Sequence, residues 1–335
     1  MRCPAARGDL GSMLRSALLG RTELETSPFA EIAAAVPDDR LLSDDDAQLT
    51  LWTLYELHYR GFSDVSADRE WDPSLLAARR VLETAFERAL RARTGTVVTR
   101  ALAAPGTLAE RVFAMVAADD GPALAAYLHR RATREQVVEF LRERSVFHLK
   151  ESDPQTFVLA RLDGPAKTAL AELLYDEFGG GRPERLHATM FADTLRAAGL
   201  DARYGTYVEE VDATTLAVNN AMSLFGLHRR LRGAAMGHLA AFEATSSVPS
   251  RKIAAGLRRV GLPEAAALYF DEHVEADSVH EQLAVRSICE SLVAADPALE
   301  RDVLFGVATC LDLDALAGAV QLSRWQDAPA VAVAS

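Results

Sequence analysis

Runs in which apolar and polar residues alternate, the mark of a half-buried strand, are almost absent from this chain, so helices must bury its apolar residues. Alanine and leucine dominate, and the prolines mostly sit at segment edges, where helices begin or end. One helix is expected from about Ser43 to Gly61, with Asp44, Asp45 and Asp46 making its first turn acidic and Gly61 stopping it. Others are expected over residues 73–93, 107–118, 122–131, 165–178, 183–198, 214–230, 234–260, 263–295 and 311–322. Thr133 opens a capping box with Gln136, and its helix continues through Phe140 and Val146 to stop near Asp153-Pro154. The first dozen residues and residues 326–335 read as poorly ordered.

The 335 residues, 49% of them hydrophobic, can bury a sizeable core. A seam around residues 94–133 suggests an N-terminal helical region (1–132), a core (133–326) and a flexible tail (327–335). The net charge of −12, with 36 scattered basic residues, argues against nucleic acid or an anionic membrane as partner. No apolar run is read as approaching the ~18 to 20 residues of a membrane span. Arg2 and Arg7 have no apolar stretch behind them, so the start does not read as a secretory signal. Cys3, Cys289 and Cys310 are odd in number and far apart, which fits neither a disulfide framework nor a thiolate zinc site. A reducing cytoplasm is expected, and any metal site must use oxygen and nitrogen ligands.

Only eight histidines occur, so each can be weighed. His273, Asp277 and His280 stand at i, i+4 and i+7, within about 60° of arc on one helix face. Such a face can offer two imidazoles and a carboxylate to one metal ion or a pair, a donor set that suits iron, manganese or zinc. Glu184 and His187, at i and i+3, make a second pair. In chain order the core gives Glu151, Glu184-x-x-His187, Glu243 and Asp277-x-x-His280. That is the order of a diiron carboxylate bundle, with one acid from each of two helices and an acid-x-x-His pair from each of the other two. The intervals match, 33 residues from Glu151 to Glu184 and 34 from Glu243 to Asp277. With 48 acidic residues, about one histidine in eight would have an acid three places before it by chance, and two do. The order and spacing carry the reading, because the acid-x-x-His unit alone does not.

These residues resemble the heme-oxygenase-like diiron oxidases, a family of iron-containing redox enzymes. The likeness runs from Leu149–Pro154, through the segment from Tyr175 to His187, to the helix of His273, Asp277 and His280. The N-terminal segment from Leu54 to Phe62 also looks like one found among members. The resemblance implies an all-α, heme-oxygenase-like helical bundle with an added N-terminal helical region. It implies that Glu151, Glu184, His187, Glu243, His273, Asp277 and His280 bind two Fe ions that activate O2 as co-substrate. It adds Glu177 as a further carboxylate, engaged during oxygen activation in N-oxygenating members. Gly179, Gly180, Gly181 and Pro183 break the helix after Glu177, a loosened turn that would let Glu177 swing toward the metals.

The expected activity is O2-dependent oxidation of a small molecule, leaning to N-oxygenation of an amine or guanidine in a biosynthetic pathway. The alternatives are desaturation or carbon–carbon cleavage of an amino or fatty acid, a ferritin-like bundle, and a non-catalytic helical scaffold. An external electron donor and a homodimer are both compatible with the chain. Glu56 and His58, at i and i+2, point to different faces and read as structural. His148 reads either as a hydrogen-bond partner of a ligand or as an ordinary helix histidine. His129, His228 and His238 read as solvated or satisfied. The glycine triplet lacks a following Lys-Ser/Thr and a preceding strand, so it is no phosphate loop, and Arg182 and Arg185 read as surface residues.

Overall fold

The structure, a computed structural model, describes residues 1–327, the side chains of residues 275–279 and 327 excepted. Its helices are α1 (Asp9–Leu18), α2 (Thr26–Ala35), α3 (Asp45–Glu56), α4 (Pro73–Ala103), α5 (Leu108–Ala117), α6 (Leu124–Arg130), α7 (Arg134–His148) and α8 (Asp153–Leu159). They continue with α9 (Gly164–Glu177), α10 (His187–Ala197), α11 (Ala213–Leu227), α12 (Arg232–Arg259), α13 (Leu268–Gln282), α14 (Ser291–Ala295) and α15 (Glu300–Asp327). No strand occurs among the described residues, as the lack of alternation requires.

Capping chemistry sets several of the starts. The Asp44 carboxylate accepts from Ala47 N ahead of α3, and Asp72 caps α4 one residue before Pro73. Thr107 with Glu110 and Thr133 with Gln136 form complete capping boxes. Several bounds differ from expectation. The first dozen residues are tied down: Arg7 donates to the carbonyls of Val208, Glu209 and Val211, and Cys3 N donates to Asp64. The helix after Thr133 ends at His148, so Glu151 stands in a turn before α8. Ser152 there has φ 68°, a left-handed conformation that α-helix cannot contain. The stretch from α13 to α14 is joined by a π-helical segment, Leu283–Glu290. The expected tail reads differently at its start, since Gln326 and Asp327 close α15, while residues 328–335 lie outside the described residues.

The last helix also corrects the expectation about apolar runs. Pro297–Gln326 is long and apolar enough to span a membrane, with mean hydropathy 1.8 over its most apolar window. More than half of that window is buried, because α15 packs on α4, α11 and α12 as a core helix. Two glycines permit its closest approach to α12. A Cβ on Gly237 would stand 1.9 Å from Val303 O, and one on Gly306 would stand 2.0 Å from Ala234 O. That crossing seats α12, and with it Glu243 two turns further on, in the middle of the bundle.

One hydrophobic cluster runs across the expected seam, joining Leu14, Trp52 and Phe86 to Leu216, Met236 and Val303. A second gathers Phe140, Leu141, Phe191, Leu257 and Tyr269. The polar residues described next are buried inside this apolar frame.

Candidate metal centre

Five segments meet in the interior. The turn after α7 carries Glu151, the last residue of α9 is Glu177, and the first of α10 is His187. Helix α12 supplies Glu243, and α13 supplies His273 and His280. All six are 5% exposed or less. Their donor atoms fall into two groups, Glu151 with His187 and His273, and Glu177 with Glu243 and His280. Within each group the atoms that could bind a cation lie within 4.8 Å of one another.

In the first group, His273 Nε2 lies 3.7 Å from Glu151 Oε1, and His187 Nδ1 lies 4.0 Å from Glu151 Oε2. In the second, His280 Nδ1 lies 3.4 Å from Glu177 Oε1 and 3.6 Å from Glu243 Oε2. Glu177 connects the groups, because its other oxygen lies 3.0 Å from His187 Nδ1.

The outer nitrogens and oxygens are anchored. His273 Nδ1 meets the Tyr269 carbonyl at 2.8 Å, which turns Nε2 toward Glu151. His280 Nε2 meets Asp176 at 3.4 Å. The Tyr269 hydroxyl donates to Glu151 Oε2 at 2.6 Å and stands 2.7 Å from His148 Nδ1. His148 Nδ1 also lies 3.2 Å from Glu151 Oε1, so this histidine is a hydrogen-bond partner of Glu151. Ser152 Oγ donates to Glu177 Oε2 at 3.0 Å, so the strained residue beside Glu151 also holds the carboxylate of the other group.

The electrostatics show what these donors would accept. Burial pushes the Glu151 carboxyl up, but His148 and His273 more than reverse this and hold it well below its ordinary range. Burial likewise opposes ionisation of Glu177, and His187 brings it down. Burial disfavours the His280 cation, yet Glu243, Glu177 and Asp176 raise it to about 9. His187 is raised in the same way by Glu177. Three carboxylates buried in apolar surroundings draw protons onto the imidazoles because charge must be balanced there. Even so, the Nδ1 atoms of His187 and His280 make no aligned hydrogen bond although carboxylate oxygens stand beside them. Cations between these donors would satisfy both the charge and the orphaned nitrogens. The oxygen and nitrogen set fits iron. Cys3, Cys289 and Cys310 are buried free thiols and enter neither group.

A family model described as iron-containing redox enzyme matches residues 138–315, more than half of the chain. The chain belongs to that family. As an iron-containing redox enzyme with the all-α, heme-oxygenase-like fold, it is an oxidoreductase. It is also 28% identical over 165 residues to the nitrosourea synthase of Streptomyces achromogenes subsp. streptozoticus. That match covers 49% of this chain and 34% of the relative, so the chain spans about a third of the relative's length.

Within this iron-containing redox enzyme, six of the eight residues singled out in the sequence come together. Glu184 does not. It is exposed in a 3₁₀ turn, Pro183–Arg185, and α10 begins only at His187, so the helical i, i+3 geometry that would pair them does not exist. Glu177 stands beside His187 instead. The break after Glu177 was visible in Gly179–Gly181, all three having positive φ, but the restart expected at Pro183 comes only at His187, which leaves Glu184 outside α10. The side chain of Asp277 lies outside the described residues. Tyr269 and Ser152 were missed, and neither has a sequence signal. His238 is buried rather than solvated.

Proposed function

We propose that the chain is a non-haem diiron enzyme that uses O2 to oxygenate a small amine or guanidine at nitrogen in a biosynthetic pathway. The observation that carries the two-metal reading is Glu177, whose two oxygens face His187 of one group and His280 of the other. Glu151, His187 and His273 would hold one ion, and Glu177, Glu243 and His280 the other, with Asp277 as a further candidate. Iron bound there supplies electrons to dioxygen and an electrophilic oxidant for the substrate.

The protein's own residues have distinct tasks. Tyr269 and His148 hold Glu151 from behind, and Asp176 orients His280. Apolar walls around the buried donors exclude water, which strengthens every charge interaction in the site. Reducing equivalents come from a small reductant, a partner or the substrate. N-oxygenation is favoured by the name of the relative, because a nitrosourea contains a nitrogen–oxygen bond.

The test loads the protein with ferrous ion anaerobically, then adds ¹⁸O2 with a panel of amines, guanidines, amino acids and fatty acids. An amine or guanidine product carrying ¹⁸O on nitrogen supports the reading. Products two hydrogens lighter, or shortened, without ¹⁸O on nitrogen, would replace it with desaturation or cleavage. Iron oxidation with no product would make the bundle ferritin-like.

A further inference from the structure

Glu151 is carried by a turn, and a turn needs something to hold it. Two hydrogen bonds of its own, Lys150 N to Phe147 O and Asp153 N to Lys150 O, define its path. Further restraints on its backbone and on Lys150 come from the N-terminal region. The Lys150 side chain is 2% exposed, and its Nζ pairs with Glu56 Oε2 of α3 at 3.4 Å. Glu56 is fully buried and also accepts from the Tyr204 hydroxyl at 2.6 Å. The ammonium stands over the Tyr59 ring at 4.1 Å, with Trp52 and Tyr204 forming further walls at 5.5 and 5.9 Å. Four residues beyond Glu56, Arg60 donates to Leu149 O at 3.0 Å and pairs with Asp153 at 3.6 Å. Leu149, Lys150 and Asp153, on both sides of Glu151, are thus gripped by Glu56 and Arg60.

A buried ion pair is a poor device for stability, since desolvation of both charges offsets their attraction, but it does impose one geometry. Here it imposes that geometry one residue from a carboxylate that must meet His187 and His273. Glu56 and Arg60 lie outside the residues that match the family model.

We infer that Lys150 is a positioning residue for the metal centre, and that through Glu56 the N-terminal helix α3 fixes where Glu151 stands. This rests on the reading that Glu151, His187 and His273 hold a metal ion. The brace bears first on that group, because Glu177, Glu243 and His280 are carried by other elements and the turn reaches them only through Ser152 Oγ, which donates to Glu177.

The test is anaerobic titration with Co²⁺, followed by visible absorption and calorimetry, on wild type, Lys150→Met and the double variant Glu56→Gln/Lys150→Met. His273→Ala and His280→Ala serve as references for which ion is lost, and a thermal melt accompanies each protein. The double variant leaves no unpaired buried charge and serves if the single one fails to fold. Arg60→Met, at a half-exposed side chain, loosens the same turn from its other side. The expected result is a loss of about 10- to 100-fold in affinity for the ion that His273→Ala abolishes, the other ion being retained. Folded variants that bind both ions like wild type would overturn the inference, as would equal weakening of both ions alongside a lowered melt. Wild type that takes up no cobalt would remove the metal reading itself, and the inference with it.

Discussion

Glu177 Oε2 stands 3.0 Å from His187 Nδ1, across the three-glycine turn that separates α9 from α10. Since Glu177 also reaches His280, its removal should affect both ions. Glu177→Ala is expected to bind fewer than two irons per chain, whereas Glu184→Ala should bind two, because Glu184 is exposed. Iron analysis after anaerobic loading and desalting checks both. Full iron content in Glu177→Ala, or loss in Glu184→Ala, would reverse the assignment.

The turn itself can be tested without touching a donor. Gly179 has φ 75°, and a Cβ there would stand 2.6 Å from both Arg185 C and Leu186 N. Gly179→Ala must therefore strain the backbone or push the segment away from α9, carrying His187 with it. A destabilisation of about 1–3 kcal/mol is expected from the strained conformation, together with weaker metal uptake. Denaturant unfolding and metal titration measure the two effects, and an unchanged protein would mean that the turn is not held in this form.

Tyr269→Phe removes the hydroxyl that donates to Glu151 Oε2 and stands beside His148. Metal affinity should fall about 10-fold or more, as for other groups that orient a ligand. The folded metal-free protein should lose about 1–3 kcal/mol, because a buried carboxylate loses a partner. An unaltered affinity would show that Glu151 is positioned without it.

Metal-free protein should lose stability as pH rises. The folded-state value of His280 is lifted to about 9, above its ordinary 6.5, by Glu243, Glu177 and Asp176 against the opposing effect of burial. A raised value means that the stabilisation is fully present below about pH 6.5, declines above it, and is gone beyond about pH 9. His187 is raised by Glu177 and acts in the same direction. Thermal melts between pH 6.5 and 9.5 should fall by several degrees without metal and much less with it, since a bound cation replaces the protons. A metal-free melt that rises over this range would contradict the charge balance described.

The helices were legible because local chemistry decides them: Thr133 and Gln136 formed the expected box, and His273 and His280 lie on one helix, α13. Glu243 and His187 were legible as residue types in order, and Glu177 only through the family resemblance. What failed was local backbone detail. Ser152 in a left-handed conformation takes Glu151 off its helix, and the late start of α10 removes Glu184. The supports were illegible for another reason. Tyr269 meets Glu151 from 118 residues away, and Lys150 meets Glu56 from 94, so only tertiary packing brings them together. The two N-terminal helices before α3 were passed over for the same reason, since α1 owes its place to packing on α3 and to contacts such as those of Arg7 with residues 208–211.

The central claim is that one chain holds two iron ions with the residues that meet in its interior. Anaerobic titration with ferrous ion, read by Mössbauer spectroscopy, tests it most directly when wild type and His280→Ala are run side by side. Two equivalents in wild type, as two resolvable or coupled ferrous sites, and one or fewer in His280→Ala are the predicted results. A single equivalent in wild type, or two that survive the loss of His280, would contradict it.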